Sequence, residues 1–97
     1  MSIYILAQLR FKDVSLYREY QAEFGKVFAQ SKGRLLVADE TPEILEGQWN
    51  QDKVILMEFP NEVDARDFLN DPNYHKISEN RRGGANTIAL LVKSVAG

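Results

Sequence analysis

Two runs in this chain, Ile3-Tyr4-Ile5-Leu6-Ala7-Gln8-Leu9 and Val54-Ile55-Leu56-Met57-Glu58-Phe59, are apolar on both faces of the strands they would form. A strand with one wet side alternates apolar and polar residues, and these two leave almost no polar side. Both must lie inside a sheet with cover above and below. A chain of 97 residues has helices enough for one face only, so the expected cover for the other is a second copy of the chain. The alternative, a monomer with a large open apolar face, is uncommon.

Four strand-like runs and the helical stretches between them read as βαββαβ. Residues 2–11 form the first strand, with Ile3, Ile5, Ala7, Leu9 and Phe11 on one face. Asp13 is positioned as an N-cap, and Tyr17, Tyr20, Phe24, Val27 and Phe28 recur at helical spacing. This helix is expected to run to about Ser31 and end at Gly33, with Gly25 admitting close packing on the sheet. Residues 34–39 read as the second strand. Thr41-Pro42 interrupts it and Ile44–Trp49 resumes an extended pattern, so 34–49 fits one bent strand or two short ones. Residues 53–59 form the third strand, stopped by Pro60. Asn61 opens a short helix with Val63, Phe68 and Leu69 as its apolar stripe, and Asp71-Pro72 opens another that Gly83-Gly84 ends. Thr87–Val95 is the fourth strand.

Right-handed crossovers then give an α+β, ferredoxin-like βαββαβ antiparallel sheet. Its first and third strands are central, its helices lie on one face, and residues 1–97 make one domain. The other face should pack on a partner sheet at about 10 Å.

Composition narrows the partners. A net charge of −2 argues against a nucleic-acid surface. The absence of cysteine removes thiolate nucleophiles and thiolate metal sites. No apolar run approaches the roughly 18 residues of a membrane span. The start of the chain enters a strand pattern without a signal peptide's basic leader, which suggests a cytoplasmic protein.

Gly33-Arg34-x-Leu36-Val37, Leu45-Glu46-Gly47-x-Trp49, Glu58-Phe59-Pro60, Ala65-x-x-Phe68, Tyr74 and Arg81 together resemble the domain-of-unknown-function 1330 family. The resemblance covers essentially the whole chain. It implies a dimeric α/β barrel, in which two sheets pair face to face around a cleft, and it implies no particular activity. Lys32, Phe68 and His75 depart from the residues common in that family.

Glu58 shares the partner-facing side of its strand with Val54 and Leu56, where an unpaired carboxylate would be costly. Antiparallel pairing brings Tyr4 beside it, and Arg34 can reach the same edge. Such a group could bind a polar ligand or work as an acid–base pair. The duller and favoured reading is an ion pair that fixes register or the dimer contact. Glu46 and Trp49 flank Gly47, which suggests a bulge that turns the indole over a cavity, though interface packing is the commoner role. On the third helix Tyr74, Ile77 and Arg81 fall on one inward stripe, so Arg81 needs an acceptor. His75, the only histidine, points away from that stripe and is expected to be solvated.

No metal cluster or cofactor is implied. The leading expectation is a homodimer binding a small organic molecule, an anionic metabolite being one candidate, in a cleft lined by Tyr4, Arg34, Trp49, Glu58 and Arg81. One rival is a cofactor-free isomerase or monooxygenase using Glu58 or Tyr74 for proton transfer. Another is a structural or partner-binding dimer with no ligand.

Overall fold

The computed structural model describes residues 2–96. Strands β1 (Ile3–Phe11), β2 (Arg34–Asp39), β3 (Lys53–Phe59) and β4 (Ala85–Lys93) alternate with helices α1 (Val14–Phe28), α2 (Glu62–Leu69) and α3 (Pro72–Gly84). The strands form one antiparallel sheet in the order β2-β3-β1-β4. The doubly apolar runs are therefore the two central strands, as their composition requires. The fold is α+β and ferredoxin-like.

Period two sorts the central strands onto two faces. Ile3, Ile5, Ala7 and Leu9 of β1 and Lys53, Ile55, Met57 and Phe59 of β3 are buried under the helices. Tyr4, Leu6, Gln8, Val54, Leu56 and Glu58 point the other way and stay half-buried. Extents of 35 × 33 × 16 Å describe a two-layer slab whose second sheet face is uncovered. Across that face, cross-strand pairing lines up Val37, Leu56, Leu6 and Leu90 in one apolar row.

Tyr17, Tyr20 and Phe28 of α1 and Ala65 and Phe68 of α2 supply the helix side of the core. Phe28 meets Phe68 edge-on at 5.3 Å and Phe59 edge-on at 6.0 Å. Each helix begins on a side-chain cap: Asp13 accepts from the Leu16 N–H, Asn61 from Asp64 and Asp71 from Asn73.

Several expectations fail for identifiable reasons. α1 ends at Phe28 with Ala29 still right-handed, so Gly33 is no helix cap. A Cβ at Gly33 would lie 2.7 Å from the Phe59 ring, and close packing is what requires glycine there. Gly25 has nothing within 4 Å and packs on nothing. Residues 44–49 form no strand, because β2 is the sheet's edge and stops at Asp39. Val63 is 67% exposed, Ala65 taking the inward position in α2. α3 does end at Gly84, as expected, but β4 follows at once, starting at Ala85, not Thr87, and ending at Lys93. The close approach belongs to Gly84, where a Cβ would sit 2.5 Å from the Tyr17 backbone nitrogen.

Candidate functional site

The five residues expected to line one cleft occupy three places. Tyr4, Arg34 and Glu58 do meet, because β-pairing sets Glu58 opposite both Tyr4 and Arg34. The Arg34 Nη2 and Nε donate to Glu58 Oε1 at 2.5 and 3.1 Å. Arg34, then the hydroxyls of Ser2 and Tyr4, hold the Glu58 carboxyl below its ordinary range. A general acid needs the opposite shift, so this carboxylate stays ionised beside its guanidinium. The group lies on the open sheet face.

Trp49 belongs to the irregular segment between β2 and β3. Gly47 has φ +84°, a conformation that favours glycine, and no close backbone neighbour, so it marks a turn and not a close approach. Trp49, Pro42, Ile44, Leu45 and Val54 border a shallow depression of about 260 Å³ at one end of the open face. Ile44 and Leu45 are 52% and 88% exposed.

Arg81 is on the other side of the sheet. Its Nη1 donates to Thr87 Oγ1 at 3.0 Å, and Thr87 pairs with Leu9 on the helix-covered face. There α1, α3, the end of α2 and the sheet border a cavity of about 230 Å³ that opens to solvent. Its floor exists because Ala7 and Ala89 are direct cross-strand partners, and two methyl groups cannot fill the space below the helices. Phe24, Leu69, Ile5 and Met57 make apolar walls. The polar groups come from α1, α3 and β4. Tyr20 and Tyr74 hydroxyls are 3.4 Å apart, and burial, then Tyr74, pushes the Tyr20 phenol up. Ser78 Oγ donates to the Tyr74 carbonyl at 2.7 Å, one helical turn back. The Arg81 Nε is buried with no hydrogen-bond partner, the single such side-chain atom among the described residues.

Helical phase correctly turned Tyr74 and Arg81 inward, and it left His75 exposed. His75 nevertheless borders the mouth of this cavity with Arg82. Tyr20, read in the sequence only as part of a helical stripe, Thr87, read only as the start of a strand, and Ser78 were not singled out as site residues. Thr87 could have been found from strand parity, since it follows the buried Ala85 by two.

A second polar cluster went unseen as well. Lys53 is 3% exposed, in register with Ile55, Met57 and Phe59 on the helix face. Its Nζ lies 3.4 Å from Glu40 and 4.9 Å from the Tyr17 ring centre. Glu40 also accepts two bonds from Arg18, at 2.5 and 2.7 Å. Arg18, then Lys53, pulls the Glu40 carboxyl down to about 2. Burial lowers the Lys53 ammonium and Glu40 only partly offsets that. Burial lifts the Tyr17 phenol to about 12.

A ferredoxin-like slab with one bare sheet face and a cavity under its helices defines the class. The chain belongs to the DUF1330 family (domain of unknown function), whose model matches residues 2–95. No curated protein matches it. Among solved structures, a protein of unknown function from Rhodopseudomonas palustris is similar at TM-score 0.81 and 19% identity, with 97% of this chain and 82% of that one covered. A dimeric ferredoxin-like protein of unknown function from Jannaschia sp. CCS1 is similar at TM-score 0.79 and 8% identity, over 97% and 100% of the two chains. SnoaB, a cofactor-independent oxygenase from Streptomyces nogalater, is similar at TM-score 0.72 and 12% identity, over 96% and 92%. At such identities the likeness is one of fold.

Proposed function

We propose that this protein is a homodimer in which each protomer holds a small organic molecule in the cavity between its helices and its sheet. The observation that carries the reading is the cavity itself. It is apolar-walled, it is floored by the Ala7–Ala89 pair, and polar side chains from α1, α3 and β4 converge on it. Pockets for drug-sized ligands run to roughly 300–1,000 Å³, so about 230 Å³ suits a smaller molecule. The dimer half of the proposal is supported by the bare row of Val37, Leu56, Leu6 and Leu90, and by similar folds described as dimeric. In that arrangement Tyr4, Arg34 and Glu58 serve the contact between sheets, and Arg81 with Tyr74 serves the ligand.

Cofactor-free proton transfer by Glu58 is disfavoured, since Arg34 lowers its carboxyl. If this fold carries chemistry here, Tyr74 in the cavity is the better-placed candidate. Equilibrium sedimentation combined with thermal-shift screening of small ring compounds tests the reading. A dimer stabilised by at least one compound is expected, with that compound seen beneath the helices in a crystal. A dimer that no compound stabilises would support the structural dimer instead, and a monomer would remove the dimer half of the proposal.

A further inference from the structure

We infer that the cavity's occupant is an organic monoanion of about one ring, its carboxylate received by Arg81 and its apolar body lying over Ala7 and Ala89. This inference rests on the cavity reading above and adds the charge of the ligand. Three observations carry it.

The first is the orphan donor. A guanidinium presents its N–H groups as a planar fork that matches a carboxylate. One arm of Arg81 is spent on Thr87, while Nε is buried and unpartnered. Buried donors are rarely left so; Arg81 borders the cavity, and a turn of its guanidinium toward that space would let a ligand acceptor satisfy the donor.

The second is the charge around the cavity. Arg81 and Arg82 both border it and no Asp or Glu does, in a chain whose net charge is −2. That disfavours cationic ligands. Among the described residues no group of three His, Cys, Asp or Glu side chains is placed to hold a metal ion there.

The third is the direction of the remaining polar groups. Thr87 Oγ1 accepts from Arg81, so its own hydrogen is free to donate. Tyr20 and Tyr74 share one hydrogen bond between two hydroxyls, which leaves one proton to offer. Ser78 is already committed to its own helix. The polar side of the cavity is therefore rich in donors, as recognition of a ligand acceptor requires. Apolar walls on the other side disfavour a small, strongly hydrated inorganic anion. They suit a carboxylate attached to a ring.

The test compares benzoate, cyclohexanecarboxylate, benzamide, benzylamine and inorganic phosphate by titration calorimetry and thermal shift, at one ionic strength. Three proteins are used: wild type, Arg81→Gln and Ala89→Leu. Ala89 is exposed and reaches the cavity from β4, so the leucine fills the space from outside the core. The carboxylates should bind wild type at least about tenfold more tightly than benzamide, the range of a hydrogen bond to a charged group. Arg81→Gln should erase that preference while benzamide binding persists, and Ala89→Leu should weaken every ligand. Equal binding of benzoate and benzamide, both lost in Ala89→Leu, would overturn the anion inference and leave the cavity reading standing. Carboxylate binding indifferent to Ala89→Leu, or no binding by any ring compound, would overturn both. Phosphate binding as tightly as benzoate would overturn the ring requirement.

Discussion

Removing Glu40 should harm this protein far more than removing the buried lysine it faces. Lys53 is 3% exposed, and its lowered ammonium means that desolvation, with Arg18 nearby, costs the charged form more than Glu40 returns. Glu40→Gln strands that ammonium. Breaking a buried pair costs roughly 3–5 kcal/mol. The lower end applies here because the amide oxygen can still accept. Loss of the Arg18 contact adds little, since an exposed pair contributes about 0.2–1 kcal/mol. The expected total is about 3 kcal/mol. Lys53→Met keeps the stem packed on Tyr17 and removes the desolvation cost, while Glu40 retains Arg18. Its expected effect runs from neutral to about 2 kcal/mol stabilising. The double variant should resemble Lys53→Met alone. Urea unfolding at one fixed protein concentration measures all three, because the stability of an oligomer depends on concentration. Acid adds an independent arm. Glu40 titrates near 2 in the folded chain against 4.5 in the ordinary state, so its contribution is complete above about pH 4.5. It is lost as the pH falls toward 2, and the Glu40→Gln variant should lack that limb. Lys53→Met costing more than about 2 kcal/mol, with Glu40→Gln costing under 1, would refute the claim that a desolvated charge governs this cluster.

Leu56→Arg puts a charge in the middle of the bare apolar row and should yield a folded monomer or an unfolded chain in sedimentation and circular dichroism. Wild-type association would mean that the face is not an interface. Gly84→Ala drives a methyl into the Tyr17 backbone, and unfolding should show a loss of about 1–3 kcal/mol or more. The same change at Gly25, which meets nothing, should be neutral to slightly stabilising. His75→Gln should leave the thermal midpoint and sedimentation unchanged, because its side chain is exposed at the cavity mouth and bonded to nothing within the core.

Local pattern determined much of this protein before any tertiary contact formed. Doubly apolar runs had to become the central strands, since only interior positions cover both faces. Asp13, Asn61 and Asp71 were legible as caps because capping is settled within three residues of backbone. Antiparallel register alone brought Glu58 to Tyr4, and strand order brought it to Arg34. The tertiary structure decided which face each functional residue serves. Parity tells whether neighbours along a strand agree, yet Arg81 arrives from a helix and joins the odd residues of β1 and β4, opposite Tyr4 and Glu58. It also decided where space remains. The cavity comes from two alanines in opposite halves of the chain that β1–β4 pairing sets face to face. Lys53 is a buried charge only because Tyr17 covers it and Glu40 reaches it from the end of β2. A void or a desolvated charge is a property of what several distant segments jointly leave unfilled or exclude from water, and no window of sequence contains that sum.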